Sequence, residues 1–173
     1  VSDIDDKDIG ASIDAGVVAV VPGFQGITDE NRISTLGRGG LVDDLVQAKV
    51  VDVSAVADRW DGFHMELVDN PLPNVKRALL IIGADKRGTM YGIYDLSEQI
   101  GVSPWHYWAD VPPARKQQVY IKGGTRKQDA PKVRYRGIFL NDEAPALTGW
   151  VQASHGNYNH EFYAKVFELM LRL

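Results

Sequence analysis

A short, almost uninterrupted apolar segment, RALLIIG at residues 77–83, limits the possible folds more than any other part of the sequence. Apolar residues at consecutive positions are typical of a strand that is covered on both faces of its sheet. The segment Phe63–Leu67 alternates apolar and polar residues before Asn70 and Pro71, which predicts a half-buried strand. These two segments predict the centre of a β-sheet.

Helices are predicted on either side of these strands, because apolar residues recur there at spacings of three and four. The further predicted elements are helices at 41–50, 53–60 and 89–100 and short strands at 16–21 and 119–122. The last of these helices is expected to turn Met90, Ile93, Leu96 and Ile100 inward and to stop at Gly101. The alternation predicts an α/β fold, an amino-terminal α+β domain with a mixed sheet and helices on it.

A change of composition divides the chain. Residues 123–131 (GGTRKQDAP) have the composition of a linker, so we expect one domain at 1–122 and a second unit at 132–173. The second unit is expected to contain a strand at 133–140, a polar loop at 141–160 and an amphipathic helix from Glu161. One strand, loop and helix cannot bury their faces alone, so we expect an amino-terminal fragment whose last unit begins a larger α/β array.

The composition excludes several classes of function. Lys plus Arg total 19 against 23 Asp plus Glu, a net charge of −4, whereas nucleic-acid binding needs a clustered cationic surface. No apolar run approaches the roughly 20 residues of a membrane-spanning helix. The absence of cysteine excludes disulfides, thiolate metal sites and a thiol nucleophile. We therefore expect neither a nucleic-acid partner nor a membrane partner.

The four histidines do not form a metal-binding pattern in the sequence. His155 and His160 are five residues apart rather than the four of a helical zinc pair, and no clear third ligand is near. We therefore expect no metal, and no residues imply another cofactor.

The segment at 83–92 (GADKRGTMYG) allows two interpretations. A glycine-rich turn before a helix can hold a phosphate on its backbone N–H groups, although the spacing matches neither the dinucleotide motif nor the P-loop. The structural interpretation is that Gly88 and Gly92 allow the helix to lie close to the sheet and that Asp85 caps or pairs locally.

The aromatic segment at 103–113 (SPWHYWADVPP) also allows two interpretations. Aromatic rings can stack on sugars or bind partners. Alternatively, Trp105 and Trp108, which are three residues apart beside prolines, wedge one part of the protein against the next.

The sequence Asn141-Asp142-Glu143 is the sharpest chemical signal, because it follows the predicted strand at 133–140. In parallel α/β arrays, ligands bind at the carboxyl ends of the strands. A structural interpretation, with Asp142 capping a turn and Glu143 solvated, stays open.

Three segments carry a family resemblance. KRGTMYGIYDLSEQIGVSPWHYWADVPP at 86–113, VRYRGIFLNDEAPALTGW at 133–150 and FYAKVFELMLRL at 162–173 closely resemble glycoside hydrolase family 115, the xylan α-1,2-glucuronidases. STLGRGGLVDDLV at 34–46 is a weaker match, and His106 and Tyr107 depart mildly from the family's aromatic pattern. The resemblance implies an amino-terminal α/β domain, a (β/α)8 catalytic barrel that begins at 132–173, and further helical and β-sandwich domains.

The same resemblance implies an inverting enzyme that removes 4-O-methylglucuronic acid or glucuronic acid from xylan. Such enzymes use two carboxyl groups about 6.5–9.5 Å apart. Asp142 and Glu143 are adjacent and would face opposite ways on a strand, so they cannot be this pair. We expect Asp142 to be the catalytic or substrate-positioning carboxylate, with its partner beyond Leu173. Asn141 and Glu143 are expected to contact sugar hydroxyls or neighbouring loops, and Trp150 to line the pocket.

The expected partner is therefore glucuronoxylan or an aldouronic acid, with a homodimer of the full-length enzyme left open. Because xylan is extracellular, we expect a secreted or periplasmic protein. Two alternatives remain at this point. One is a non-catalytic carbohydrate-binding or scaffolding α/β domain, and the other is an anion- or nucleotide-binding domain that uses Asp85–Thr89.

Overall fold

The computed structural model describes residues 17–21, 41–72, 75–117, 119 and 121–173. The strands are β1 (Val17–Val21), β2 (Phe63–Leu72), β3 (Val75–Gly83) and β4 (Arg126–Asp129). The helices are α1 (Leu41–Gln47), α2 (Ser54–Ala57), α3 (Lys86–Gln99), α4 (Ala146–His155) and α5 (His160–Arg172). The weaker family similarity at 34–46 begins outside the described residues.

The four strands form one mixed sheet in the order β1-β3-β2-β4. β1 runs parallel to β3, with Val17 opposite Ala78. β2 runs antiparallel to β3 on one side and to β4 on the other, so that Phe63 lies between Gly83 and Asp129. The apolar segment at 77–83 thus occupies an interior strand, and the predicted mixed sheet with helices is confirmed.

The sheet is covered on both faces, which explains why β3 is apolar at consecutive positions. One face packs on α1, α2 and the turn between them; its buried residues are Val42, Leu45, Val51, Val53, Val56, Val68, Ala78, Leu80 and Ile82. The other face packs on α3; its buried residues are Phe63, Met65, Leu79 and Ile81, with Tyr91 and Leu96 of the helix against them.

Helix α3 approaches the sheet through small residues rather than through its large apolar ones. Gly88, Thr89 and Gly92 are buried, whereas Met90 and Ile93 are 37% and 39% exposed. The prediction that Met90 and Ile93 point inward is therefore wrong. A Cβ atom on Gly88 would lie 2.1 Å from the Gly62 carbonyl oxygen, which confirms the prediction of close helix–sheet packing.

The carboxyl end of α3 follows the sequence prediction. The helix ends at Gln99, and Gly101 has a φ of +103°, which favours glycine. The amino end is capped by Asp85, whose carboxylate accepts a hydrogen bond from the Gly88 N–H at 2.8 Å. The Gly101 stop and the Asp85 cap are thus confirmed, whereas the helix begins at Lys86, three residues before the predicted start at residue 89.

Strand β4 lies within the segment that the composition marks as a linker, residues 123–131. Arg126–Asp129 pairs with Phe63–Glu66 of β2, so the sheet extends beyond residue 122. No strand is formed at 119, 121 or 122, and the predicted strand at 119–122 is wrong for these described residues. The four residues of β4 are all polar, so they show no apolar pattern that would predict a strand. Only the exposed edge of β2 determines where they pair.

The residues at 133–140 form no strand, contrary to prediction. The backbone of a strand needs a neighbour for its hydrogen bonds, and no described segment pairs with this one. Its large side chains stay in solvent: Tyr135 is 84% exposed and Phe139 is 89% exposed. Asn141–Glu143 therefore does not follow a strand in this structure, and a barrel that begins at 132–173 stays a prediction.

The two helices that follow differ in how well the sequence signals them. Helix α5 is confirmed, with Phe162, Val166 and Leu169 buried. The predicted polar loop at 141–160 is wrong in part, because it contains the helix α4. Val151 is the buried residue of α4, and so short an apolar stripe is a weak helix signal.

His64 of β2 is fully buried, although its place in the alternating pattern predicts the solvent side. Its Nε2 lies 2.8 Å from a Glu66 carboxylate oxygen, and its Nδ1 lies 2.9 Å from the Gln128 amide nitrogen of β4. Since the amide donates to Nδ1, the neutral ring carries its proton on Nε2. Burial lowers the pKa of His64 below its ordinary value, although the Glu66 carboxylate opposes this shift.

This histidine predicts a pH dependence of stability. Because the pKa of His64 is lower in the folded than in the unfolded chain, the unfolded chain binds more protons below about pH 6.5. Urea unfolding should therefore show stability falling from pH 7.5 to pH 5.5, by at most about 1.4 kcal/mol per pH unit. His64→Gln should remove most of this slope, and His160→Gln, at an exposed position, should keep it. Equal slopes in all three proteins would contradict the assignment.

Candidate functional site

The loop Asn141–Glu143 is exposed and its backbone is held by side chains. The Asn141 side-chain oxygen accepts a hydrogen bond from the Glu143 N–H at 3.3 Å. The hydroxyl of Thr148 in α4 donates to the Asp142 carbonyl oxygen and lies 3.1 Å from the Tyr158 hydroxyl. The turn is thus capped by Asn141 rather than by Asp142, and the carboxylates of Asp142 and Glu143 stand in solvent on an anchored backbone.

An aromatic cluster lies next to this loop. The ring centroids of Trp108 and Trp150 are 5.7 Å apart, and each lies 6.4 Å from that of Phe162 in α5. Leu140, directly before the loop, packs against the same buried core. Trp150 is 43% exposed, so it is partly packed and partly open to solvent. The structure therefore brings Trp150 and the segment carrying Asn141–Glu143 into one region.

Trp108 packs the segment after α3 against this cluster. Its indole N–H donates to the Lys165 carbonyl oxygen at 3.4 Å, and its ring meets Phe162 edge to face. This contact supports the packing interpretation of Trp108. Trp105 is 46% exposed and takes no part in the cluster.

His155, at the end of α4, joins the cluster through polar contacts that the sequence does not signal. Its Nε2 lies 3.2 Å from the Tyr107 hydroxyl, and its Nδ1 lies 2.8 Å from the Ser154 hydroxyl. Its ring centroid lies 5.5 Å from that of Trp150.

The described residues bring no three His, Asp or Glu side chains together at metal-binding distance.

A second polar cluster surrounds Asp61, which is 1% exposed. One carboxylate oxygen accepts a hydrogen bond from Arg136 at 3.1 Å. The other oxygen lies 2.8 Å from the Arg87 Nε, without hydrogen-bond alignment. The Asp61 N–H donates at 2.8 Å to Asp85, the residue that caps α3. Sequence reasoning missed this cluster, because it joins residues that are 24 and 75 positions apart.

This cluster bears on the two interpretations of the segment at 83–92. The Asp85 carboxylate accepts hydrogen bonds from the N–H groups of Gly88 and Asp61, so Asp85 caps the helix and pairs locally. The structural interpretation of Asp85 is thus confirmed, and the interpretation of Asp85–Thr89 as an anion or nucleotide site stays a prediction.

A cleft of about 460 Å³ opens beside the Asp61 cluster. It is lined by Asp61, Phe63, Tyr91, Tyr94, Asp95, Glu98, Asp129, Ala130, Pro131, Lys132, Val133, Arg136, Leu171, Arg172 and Leu173. The sequence-predicted residues Asn141, Asp142, Glu143 and Trp150 do not line this cleft.

None of the helices in the described part of the chain has the length and apolar character that crossing a bilayer requires.

Comparison with solved structures shows a similarity to a glycoside hydrolase. It superposes on BtGH115A, a family GH115 4-O-methyl-α-glucuronidase with specificity for decorated arabinogalactans, with a TM-score of 0.65 and 26% sequence identity. The match covers 92% of this chain and 24% of that chain. Residues 128–173 also match glycosyl hydrolase family 115, and the resemblance to this family is therefore confirmed.

A second, shorter similarity points to a different class of protein. Over 37 residues the chain is 54% identical to the aspartate kinase of Pseudomonas fluorescens (strain SBW25) and 57% identical to the aspartokinase of Pseudomonas aeruginosa. This stretch covers 21% of the chain and 9% of either kinase. A match to so small a part of the kinases does not assign their activity to this chain.

Proposed function

We propose that the chain forms the amino-terminal part of a glycoside hydrolase that removes (4-O-methyl)glucuronic acid side chains from a polysaccharide. One observation carries the proposal: the loop Asn141–Glu143 and Trp150 lie inside the segment that matches family 115. The first domain, on this proposal, supports a catalytic barrel that begins near residue 132.

The exposed loop suits a role for Asp142 in acid–base catalysis or in positioning the substrate. Its carboxylate is exposed, while the hydroxyl of Thr148 holds its carbonyl oxygen. An inverting reaction needs a second carboxyl group about 6.5–9.5 Å away. Glu143 is the chain neighbour of Asp142, so we propose that the second group comes from elsewhere in the proposed barrel. Asn141 and Glu143 then contact sugar hydroxyls or adjacent loops.

Trp150 offers an apolar wall for the sugar. Its ring is supported from behind by Trp108 and Phe162 and remains 43% exposed. An aromatic face of this kind packs well against the apolar face of a sugar ring. This arrangement supports a role for Trp150 in binding substrate.

We propose glucuronoxylan or an aldouronic acid as the substrate and a secreted or periplasmic location, with a homodimer of the whole enzyme left open. The similarity to BtGH115A offers decorated arabinogalactan as the competing substrate. The test is release of methylglucuronic acid by the whole enzyme from glucuronoxylan and from arabinogalactan, measured side by side. Binding without release from either polymer would favour a non-catalytic carbohydrate-binding domain instead.

The 173-residue chain alone should be inactive. Asp142 and Glu143 are chain neighbours and cannot form the pair of carboxyl groups that inverting hydrolysis needs. The measurement is release of methylglucuronic acid from glucuronoxylan by purified 1–173 protein, with the whole enzyme as positive control. Release above the level of a buffer blank would contradict the proposed two-carboxylate site.

A further inference from the structure

The short segment that leads to the candidate loop is fixed at its two ends and open between them. Gly137, Ile138 and Phe139 are exposed, and a Cβ atom on Gly137 would meet nothing within 4 Å. Before them lies Arg136, and after them lies Leu140. The position of Asn141–Glu143 therefore depends on what holds these two residues.

Arg136 is the upstream anchor. Its guanidinium donates to the Asp61 carboxylate at 3.1 Å, to the Tyr91 hydroxyl at 2.9 Å and to the Val133 carbonyl oxygen at 2.6 Å. It also lies 5.4 Å from the centre of the Tyr91 ring, within cation–π range. The guanidinium is planar and its N–H donors are fixed relative to one another. These contacts together therefore determine its orientation.

The acceptors of Arg136 belong to the rigid part of the sheet domain. Asp61 is 1% exposed, it precedes β2, and its N–H bonds to the cap of α3. Tyr91 lies on α3 and packs against the buried sheet face. A buried carboxylate resists separation from an arginine partner, because its charge is then less well compensated, and Asp61 would keep Arg87 alone. Arg136 thus connects the segment to both β2 and α3.

The downstream anchor holds the other end. Leu140 packs on the cluster of Val151, Phe162 and Val166, and the Thr148 hydroxyl donates to the Asp142 carbonyl oxygen. Helix α5 is tied to α3 in turn: the Arg172 guanidinium lies 4.4 Å from the Tyr94 ring centre and donates to the Ser97 hydroxyl at 3.2 Å. Both anchors therefore fix the position of the loop relative to α3.

We propose that Arg136 is a positioning residue that sets the place of the Asp142 carboxylate relative to the sheet domain. The effect on catalysis rests on the proposed function, whereas the effect on the loop does not. A displacement of about 1 Å at a reacting group can lower the rate about 10²-fold. Loss of Arg136 should therefore lower kcat more than it changes KM.

The first experiment measures backbone order in the 173-residue chain by NMR relaxation. In Arg136→Gln the order parameters of residues 137–143 should fall below about 0.6, the range of flexible backbone, while those of β3 stay near about 0.85. Arg134→Gln is the matched control, because Arg134 lies two residues earlier and stacks on Tyr135 outside the Asp61 cluster. If the single variant fails to fold, Arg136→Gln combined with Asp61→Asn removes both charges together. Unchanged order parameters at 137–143 in a folded variant would overturn the proposal.

The second experiment measures kinetics in the whole enzyme. Arg136→Gln should lower kcat about tenfold or more with KM changed less than twofold, and Arg136→Lys should recover part of the loss. A kcat within twofold of wild type, with lower backbone order at 137–143, would overturn the positioning role. If the wild-type enzyme releases no uronic acid, the proposed function fails, and the relaxation measurement alone decides whether Arg136 holds the loop.

Discussion

Replacement of Gly88 by Ala should lower the free energy of unfolding by about 3 kcal/mol, at the upper end of overpacking costs. The added Cβ would lie 2.1 Å from the Gly62 carbonyl oxygen. That oxygen belongs to the backbone directly before β2, and it accepts the Ala84 N–H at 2.8 Å. Because neither partner can move aside alone, α3 has to shift away from the sheet. Urea unfolding of the 173-residue chain measures the effect.

Gly149 provides the matched control, since it is also a helical glycine. A Cβ atom at Gly149 meets nothing within 4 Å, and the residue is exposed on α4. Gly149→Ala should therefore raise the free energy of unfolding by about 0.5–1 kcal/mol through helix propensity. Changes of the same sign and size in the two variants would refute the close approach at Gly88.

Replacement of Asp142 by Asn should lower kcat/KM of the whole enzyme by at least about 10²-fold, or about 2.7 kcal/mol of transition-state stabilisation. The amide is nearly isosteric and removes the charge, while Thr148 still holds the carbonyl oxygen. An aldouronic acid is the assay substrate, and a melting curve shows whether the variant folds.

Glu161→Gln is the control for this variant, because it removes a carboxylate at an exposed position in the first turn of α5. It should leave kcat/KM within about twofold of wild type, since surface substitutions of this kind have small effects. A folded Asp142→Asn enzyme within threefold of wild type would reduce Asp142 to a loop residue and place the acid–base chemistry elsewhere.

The sequence predicts those parts of the fold whose signals are local. The apolar run of β3 predicts its interior place, since each of its faces meets a helical layer. Asp85 and Gly101 mark the two ends of α3 because capping is decided within a few residues. Phe162, Val166 and Leu169 predict α5 by their spacing.

The rest depends on contacts between distant residues. Met90 and Ile93 have the spacing of a buried stripe, yet the close approach at Gly88 turns another side of the helix inward. His64 has the spacing of a solvent-facing residue, yet Gln128 of β4 covers it. Strand β4 itself has no apolar residue, so only its partner β2 reveals it.

The candidate site, too, could be predicted from the sequence only where its signals are local. Asn141–Glu143 stands out in the sequence because polar residues follow an apolar segment, and the structure brings Trp150 near that segment through the cluster around Phe162. The link from Arg136 to Asp61 spans 75 residues, and nothing in the sequence near either residue signals the other. The role of Asp142 in catalysis and the role of Arg136 in positioning are proposals that the variants above test.

The strand order has a kinetic consequence. β2 and β3 are consecutive in the chain and pair as a hairpin, whereas β1 reaches β3, and β4 reaches β2, across about sixty residues. Closing long loops is slow, because their entropy is lost before their contacts form. The hairpin should therefore form in the folding nucleus, and the two edge strands should add afterwards. Substitutions within β2 and β3 would then slow refolding, whereas substitutions in β4 would chiefly speed unfolding.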